Sequence, residues 1–375
     1  MEKKELAVAF SDKDQQDAIR EAALNIKLIF PKRINHLIIL STPHYNPTAI
    51  LSTIKLTLKP RQVLGLQSNL LIFEDKIIKK GIIICCINKE GVEINESILK
   101  ASQANKVESF LGESFKKLKR KGFYFLSFLS SNVAPASYKR AMRLSVGKVF
   151  NLIGGGFLKK VSSHNSQIAN NIIDEGLINI AVKGIKMTPL SFGGYLPLGK
   201  PFTITKTTTG KNVILEMNNR PAINIYKHYL EEKFDTFIKN HLFSFYPLGI
   251  TTDGSRKLIN VIECLEDGSL VCEDLVNEGC QGHLMFLDLS SLVNQLKTAL
   301  APLKSKENGL VFIVNSSFRK KILKDVAVQE VKAIKQTLGD NFKVIGFYSD
   351  YSFLSDKEKG DINIEIGKIL LTLWQ

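Results

Sequence analysis

Hydrophobic and polar positions follow two different periods along the chain, and they predict an alternation of strands and helices. Residues 6–10 are a short apolar run typical of a strand, and the stretch after them has apolar positions every three or four residues, as in a helix. We expect Ser11 to cap this helix in a pair with Asp14, and Pro31 to end it. Pro47 is expected to open a second helix, because its φ is already set for a first helical turn.

The alternation continues to about residue 234, and strands dominate from about residue 246. A helix is expected to begin at Pro221, and the final strand to cover residues 362–373. The pattern predicts an α+β protein of two layered domains, each a mixed β-sheet with helices packed on its faces. The predicted domains span residues 1–240 and 241–375.

Composition places the chain among folded proteins of the reducing cytoplasm. Its 375 residues are 44% hydrophobic, enough for the cores of two or three domains. No apolar run reaches the roughly 18 residues of a membrane span, and the amino terminus lacks the pattern of a signal peptide. None of the five cysteines has C-x-x-C spacing, so neither a disulfide framework nor a zinc site is expected.

The positive charge is concentrated in one segment. The chain has 51 Lys and Arg against 36 Asp and Glu, and 13 of these cations but only two acids lie between Lys100 and Lys160. One interpretation is a docking surface for an acidic partner, nucleic acid or anionic lipid. The other, which we prefer, is the basic end of an amphipathic helix, since no base-stacking aromatic residues alternate with the cations. The densest run contains Lys116, Lys117, Lys119, Arg120 and Lys121.

Two glycine-rich motifs do not meet the requirements of nucleotide sites. Residues 194–200 have the spacing G-x-x-x-x-G-K, but Pro201 and a strand pattern follow where a phosphate loop needs Ser or Thr and a helix. The run 154–156 lacks the G-x-G-x-x-G order of a dinucleotide site. There is also no nucleophile elbow and no His/Glu pair at metal spacing, so an enzyme is not expected.

Two longer stretches resemble the FIST (F-box and intracellular signal transduction) family. Their order and spacing follow the amino-terminal and carboxyl-terminal halves of that family, so the resemblance spans nearly the whole chain. The first comprises Gly194-Tyr-Leu-Pro-Leu-Gly199, Phe202-Thr-Ile-Thr205, Gly210-Lys-Asn212 and Arg220-Pro221-Ala222 with Tyr226. The second comprises Asp267-Gly268, Glu278-Gly279, Asn315-Ser316-Ser317-Phe318-Arg319, Glu330 and Gly346-Phe347-Tyr348.

The chain departs from the family pattern at two chemically relevant positions. Ser316 stands where the family usually has the cysteine of Cys-x-x-Arg. Ser349 and Asp350 stand near the place of a Gly-Glu pair, so Asp350 is the possible substitute for the missing carboxylate.

The resemblance implies a small-ligand sensor that lacks an F-box and acts through a separate partner, such as a kinase or a cyclic-nucleotide enzyme. The ligand is expected to be amino-acid-like and to bind between the two halves. Residues 116–121 are then a candidate docking face for an acidic partner, because complementary charge raises the association rate.

Arg319 is the expected anchor for the ligand, because a guanidinium can hold a carboxylate through two hydrogen bonds. The alternative for Arg319 is a surface ion pair at a strand exit. The other expected ligand contacts are Asn315, Ser316, Tyr348 and Asp350 on one side, and Gly155, Gly156 and Tyr195 on the other.

Two alternative functions stay open at this point. Some FIST proteins are described as haem-based nitric-oxide sensors, and His164 is then the candidate axial ligand; otherwise no cofactor is expected. The second alternative is a nucleic-acid-binding protein that uses residues 100–160, whose binding would fall steeply with salt.

Overall fold

The fold was analysed in a computed structural model, which divides into two compact units. Unit 1 combines Met1–Phe192 with Leu296–Gln375, and unit 2 is Gly193–Gln295. Both units contain sheets and helices, which confirms the predicted α+β class. Unit 2 begins well before the predicted boundary and ends well after it, so the compact units do not coincide with the predicted ranges. The structure describes residues 5–32, 34–117, 124–130, 133–146, 151–157, 166–170, 172–208, 212–239, 242–252, 255–273, 275–304, 308–356 and 361–375.

Elements up to residue 192 belong to unit 1. The helices are α1 (Gln15–Ile29), α2 (Pro47–Leu58), α3 (Val107–Lys117) and α4 (Pro135–Val146). The strands are β1 (Leu6–Ser11), β2 (His36–Ser41), β3 (Gln62–Gln67), β4 (Leu71–Phe73), β5 (Lys76–Ile78), β6 (Ile82–Ile87), β7 (Glu93–Lys100), β8 (Tyr124–Leu129), β9 (Asn151–Gly156), β10 (Gln167–Ala169), β11 (Ile172–Asp174), β12 (Gly176–Lys183) and β13 (Met187–Phe192).

Unit 2 is built on one sheet with the strand order β18-β17-β21-β14-β15-β20-β19, and β16 pairs with β15 beside this path. Its core is rich in aromatic side chains, including Tyr226, Phe237 and Phe243. The helices are α5 (Asn224–Leu230), α6 (Phe234–Lys239) and α7 (Leu289–Leu300), which ends in unit 1. The strands are β14 (Tyr195–Thr207), β15 (Val213–Met217), β16 (Arg220–Pro221), β17 (Leu248–Thr252), β18 (Ser255–Ile259), β19 (Val261–Cys264), β20 (Leu270–Cys272) and β21 (Gln281–Leu287).

The last elements return to unit 1. They are β22 (Gly309–Ser316), α8 (Ser317–Leu323), α9 (Val328–Leu338), β23 (Phe342–Ser349), β24 (Tyr351–Asp356), β25 (Asp361–Glu365) and β26 (Ile369–Trp374). Short 3-10 helices cover Ala101–Lys106, Glu231–Lys233, Leu242–Phe245, Ala301–Leu303 and Lys324–Ala327.

Unit 1 is a threefold repeat that the sequence did not reveal. Its three six-stranded sheets have the orders β1-β6-β2-β3-β10-β11, β7-β12-β8-β9-β24-β25 and β13-β26-β22-β23-β4-β5. In each sheet a parallel pair (β2/β3, β8/β9 or β22/β23) lies beside an antiparallel strand (β6, β12 or β26). We call residues 6–87 repeat 1, residues 93–183 repeat 2, and residues 187–192 with 296–374 repeat 3.

The repeats exchange hairpins in a cycle. The hairpin β4/β5 of repeat 1 completes the sheet of repeat 3, β24/β25 of repeat 3 completes the sheet of repeat 2, and β10/β11 of repeat 2 completes the sheet of repeat 1. Each sheet therefore depends on backbone hydrogen bonds from another part of the chain.

Three glycines mark the same position in the three repeats. A Cβ added at Gly65, Gly154 or Gly346 would lie 2.4, 2.0 or 2.3 Å from the carbonyl oxygen of the residue paired with it on the parallel neighbour strand. Only glycine allows the two parallel strands to approach this closely.

The hydrophobic core of unit 1 lies between the three sheets. Inward-facing residues of all three sheets form one cluster, which includes Leu64, Phe128 and Phe312. Helices cover the outer faces: α1 and α2 pack on the first sheet, and the cluster beneath α3 and α4 includes Tyr138 and Phe353. The central strands of each sheet are buried on both faces, which explains their continuous apolar runs.

Three boundaries differ from the sequence predictions. Ser11 ends β1 and donates its hydroxyl hydrogen bond to Glu21, whereas Asp14 is the N-cap residue of α1. Pro221 belongs to the short strand β16, and α5 begins at Asn224. The predicted final strand is two strands, β25 and β26, which pair in different sheets.

Candidate functional site

The parallel strands of the three repeats have equivalent residue pairs at, or one residue before, their carboxyl ends. At these ends, Ser41 pairs with Gln67, Leu129 pairs with Gly156, and Asn315 pairs with Tyr348. We call these six residues the strand-end ring. In sheets with helices on their faces, ligands commonly bind just outside the carboxyl ends of parallel strands, so the ring is the candidate site that the fold itself indicates.

Hydrogen bonds join the three parts of the ring. Ser68 Oγ donates to the carbonyl oxygen of Tyr348 at 2.7 Å, and the backbone N–H of Asp350 donates to the carbonyl oxygen of Gly156 at 2.9 Å. The backbone N–H of Gln67 donates to the carbonyl oxygen of Ser166 at 2.9 Å. All three repeats therefore meet here, at the start of the exchanged hairpins.

Arg319 is fully buried, and its guanidinium holds a carboxylate of the protein itself. Nη2 and Nε lie 2.5 and 3.1 Å from Oε1 of Glu330, and Nη1 donates to the carbonyl oxygen of Gly367 at 2.8 Å. The pair ties α8 to α9 and to the turn before β26. Arg319 is thus a buried ion pair and not the surface pair considered as the alternative; its contact with a ligand stays a prediction.

Asn315 and Ser316 extend this buried network. Asn315 Nδ2 donates to Oε2 of Glu330 at 2.9 Å, and its Oδ1 accepts from the backbone N–H of Ser316 at 2.8 Å. Ser316 Oγ accepts from the backbone N–H of Gly367 at 3.3 Å. These side chains therefore fix the beginning of α8 against the turn before β26.

The tyrosine of the ring has a different environment. Burial, and then the negative charge of Glu330, raise the pKa of Tyr348, so the phenol stays protonated. Its hydroxyl lies beside Asn315 but forms no hydrogen bond of normal geometry with any residue that the structure describes. The buried hydroxyls of Ser130, which follows β8, and Tyr351, which begins β24, also have no partner among the described residues. Three buried hydroxyls beside the ring therefore have no hydrogen-bond partner within the described part of the chain.

Gly155 and Gly156 do not border open space. An added Cβ at Gly155 would meet Val314 and, at 2.9 Å, Ser349 Oγ, and one at Gly156 would meet the ring of Tyr351. The expected gap between these glycines and the carboxyl end of β23 is therefore filled, because β9 and β24 are hydrogen-bonded neighbours. The glycine run allows aromatic rings of repeat 3 to lie directly on a strand of repeat 2.

The remaining sequence candidates belong to other elements of the fold or lie outside the described residues. Tyr195 begins β14 in unit 2, whereas the other seven candidate contacts are in unit 1. Lys116 and Lys117 end α3. His164, Lys119, Arg120 and Lys121 lie outside the described residues.

A buried polar cluster under α3 and α4 was not expected from the sequence. Ser127 Oγ donates to Asn179 Oδ1 across β8 and β12, and Tyr138 of α4 lies beside Ser127. The paired positions in repeat 1, Ile39 and Ile84, are apolar. The only sequence signal was a single polar residue inside each of two apolar strands.

One enclosed space in the core is not a ligand site. A cavity of about 10 Å³ lies among the three sheets of unit 1, lined by apolar side chains that include Leu64, Phe128 and Phe312. This volume accommodates no more than a water-sized group, and an apolar lining offers such a group no hydrogen bonds.

Comparisons with known proteins agree with the order of the motifs. A family model described as the FIST N domain matches residues 35–220, and one described as the FIST C domain matches residues 222–350. No curated protein matches the chain. Among the residues described, no helix has both the length and the apolar character needed to cross a membrane.

Proposed function

Because this chain belongs to the FIST family, whose domains are associated with signal transduction and small-ligand sensing, we propose that it is a small-ligand sensor acting through a separate partner protein. The ligand is amino-acid-like and binds at the strand-end ring of unit 1. We place the ligand at the ring and not in a cleft between residues 1–240 and 241–375, because both ranges contribute strands to the same sheets of unit 1.

The observation that carries the proposal is the meeting of three parallel strand pairs at one place. A binding site at such a junction contacts all three repeats, so a ligand there would couple their positions. The exchanged hairpins begin at the same place and run into the neighbouring sheets. This arrangement supports a sensor, because a displacement at the ring would reach every sheet of unit 1.

The polar groups at the ring suit a zwitterionic ligand. Asp350 is only 8% exposed and follows Ser349 directly at the end of β23, where its carboxylate would attract an ammonium group. The hydroxyls of Tyr348, Ser130 and Tyr351 would donate to a carboxylate or carbonyl oxygen. In this proposal Arg319 acts indirectly, by holding β22, α8 and α9 together beside the site.

The proposal is tested by thermal unfolding of the whole protein in the presence of each amino acid in turn. A ligand that binds only the folded state raises the melting temperature, by an amount that grows with its concentration. We expect Asp350→Asn to abolish the shift. Asp340→Asn is the matched control, because Asp340 is a fully exposed carboxylate whose loss should leave the shift unchanged.

Two outcomes would contradict the proposal. One is the absence of a shift with any amino acid, and the other is a shift that survives Asp350→Asn. A Soret band in the purified protein would instead support the haem alternative.

A further inference from the structure

The helix-facing side of the second sheet has a row of polar residues at its centre. Ser97, Asn179 and Ser127 are paired across β7, β12 and β8, so their side chains lie next to one another on one face of the sheet. Residues two positions away on the same strands, such as Leu177 and Phe125, belong to the cluster beneath α3 and α4. Because side chains two residues apart on a strand share a face, this polar row lies beneath the two helices.

Several polar atoms of this region are buried without a partner. Ser127 Oγ donates to Asn179 Oδ1, whereas Asn179 Nδ2 and the hydroxyl of Ser97 form no hydrogen bond with any residue that the structure describes. The hydroxyl of Tyr138 on α4, which lies beside Ser127, likewise has no bond of normal geometry to a described residue. Asn179, Ser127 and Tyr138 are at most 1% exposed, so bulk water does not reach them. Both the sheet and the helix therefore bring unpaired polar atoms to this contact.

The other two repeats show that the fold does not require polar residues in this row. In every repeat the row ends at the glycine of close strand approach, Gly65, Gly154 or Gly346, which identifies the equivalent positions. The equivalents of Ser97, Asn179 and Ser127 are Ala9, Ile84 and Ile39 in repeat 1, and Leu190, Leu371 and Ile313 in repeat 3. Of the three rows, only that of repeat 2 contains polar side chains.

The helices of repeats 1 and 2 show the same contrast. Both α2 and α4 begin with a proline, Pro47 and Pro135, and the third residue after each, Ile50 or Tyr138, is buried. An apolar helix residue thus packs in the cluster above an apolar row in repeat 1, whereas a phenol lies beside a polar row in repeat 2.

The unpaired atoms make the closed arrangement of α3 and α4 less favourable. Burial removes the hydrogen bonds of a polar group to water, and here no described protein group replaces them. If α3 and α4 move away from the sheet, these atoms regain hydrogen bonds to water, whereas an apolar row gains none. The free energy of local opening is therefore lowered at one helix layer of the three.

We infer that α3 and α4 form a layer that opens reversibly from the second sheet, that the helix layers of repeats 1 and 3 stay closed under the same conditions, and that the polar row causes this difference. Lys116 and Lys117 end α3, so the candidate docking face for an acidic partner moves with the layer. The layer thus gives unit 1 two states that a partner could distinguish. The inference does not depend on ligand binding at the strand-end ring.

The test measures how readily each helix layer opens, by chemical labelling of a buried cysteine. The full chain is made in three variants, Ala141→Cys in α4, Ala22→Cys in α1 and Ala333→Cys in α9, each at a buried alanine of a different repeat. A thiol-specific reagent reaches the new cysteine only when its layer opens, and peptide mass spectrometry separates it from the five native cysteines. Relative to the same cysteine in the unfolded chain, position 141 should react at least tenfold faster than positions 22 and 333, which corresponds to about 1.4 kcal/mol or more.

A nearly isosteric variant connects the opening with the polar row. The triple variant Ser127→Ala/Tyr138→Phe/Asn179→Leu removes two hydroxyls and the amide with little change in volume, and it should slow labelling at position 141 at least tenfold. Labelling at position 22 should stay the same. Thr372→Val is the matched control, because Thr372 is a buried polar residue of repeat 3 whose hydroxyl donates to the carbonyl oxygen of Phe312 at 3.3 Å, and it should leave labelling at position 141 unchanged.

A second measurement needs no substitution, so it covers a cysteine variant that is itself destabilised. Helices α2 and α4 have 12 residues each, which makes their backbone amides directly comparable. Hydrogen exchange of the parent chain, read by mass spectrometry, should be at least tenfold faster in α4 than in α2.

Two results would overturn the inference. One is equal labelling at the three positions with equal exchange in α2 and α4, which is expected if ordered water molecules bond to the polar atoms and the layer stays closed. The other is labelling at position 141 that is just as fast in the triple variant, because the polar row would then not be the cause of the opening.

Discussion

The buried ion pair of Arg319 and Glu330 makes the sharpest prediction about this fold. Both side chains are completely buried, and the pair is held further by Gly367 and Asn315. Replacing Arg319 by Met leaves the Glu330 carboxylate without its cation in the interior. Breaking a buried pair in this way costs about 3–5 kcal/mol, a large part of the roughly 5–15 kcal/mol that stabilises an average domain.

Removing both charges should have a much smaller effect. In the double variant Arg319→Met/Glu330→Leu no charge is left unpaired, and such replacements are often neutral or stabilising. Asn315 then loses its acceptor, so we expect the double variant to be destabilised by about 1 kcal/mol. The measurement is urea unfolding followed by circular dichroism. The parent, Arg319→Met, Glu330→Leu and the double variant form a double-mutant cycle, and their free energies of unfolding are compared with the same dependence on urea concentration.

A specific result would refute this reasoning. If Arg319→Met lowered the free energy of unfolding by less than about 1 kcal/mol, the guanidinium would not be the buried structural partner that its contacts indicate. If it kept its stability and lost only the response to amino acids, Arg319 would be the ligand anchor expected from the sequence.

Three further predictions concern packing and reactivity. Gly154→Ala should destabilise the protein by about 3 kcal/mol in urea unfolding, because the new methyl group would lie 2.0 Å from a backbone oxygen. The control Gly193→Ala has contacts no closer than 3.4 Å and should cost far less, so equal effects would contradict the close approach of the strands. The double variant Ser127→Ile/Asn179→Ile should keep the free energy of unfolding unchanged or raise it by about 1 kcal/mol, since repeat 1 has isoleucines at the same places. A loss above about 2 kcal/mol in urea unfolding would show that the polar pair stabilises the fold. Burial raises the pKa of Cys86 to about 12, so this thiol stays protonated at pH 8. A thiol-specific disulfide reagent should therefore modify Cys86 only after unfolding, and rapid reaction of Cys86 itself in the native protein would exclude its buried position.

The main strands could be predicted because their residues carry the signal locally. The runs that became β2 and β6 are apolar along most of their length, as expected for strands buried on both faces. Pro47 at the first turn of α2 and Gly339 after α9 likewise marked helix ends through their own backbone preferences.

The hairpin exchange could not be predicted, since its information is not local. Strands β4 and β10 have three residues each, too few for a periodic pattern, and their partners lie in other repeats. The repeat itself is hidden for a related reason: its equivalent positions share backbone geometry, as at Gly65 and Gly346, more than they share side-chain chemistry.

Arg319 was expected to hold the carboxylate of a ligand, and that contact stays a prediction. The carboxylate that its guanidinium holds in the structure is Glu330 of the same chain. The two residues lie on helices separated by a 3-10 turn, so no helical spacing connects them. Only the packing of α8 and α9 on β22 and β23 brings them together.

The cyclic exchange of hairpins also bears on how the chain is synthesised. When residues 1–192 have left the ribosome, the second sheet still lacks β24 and β25, and the third sheet has only its outermost strand and one borrowed hairpin. The edge of β9 is then an unpaired row of backbone groups, open to strands of other nascent chains. The three sheets of unit 1 can therefore be completed only after unit 2 has been made and translation has reached β26, and in that interval the open strand edge favours aggregation.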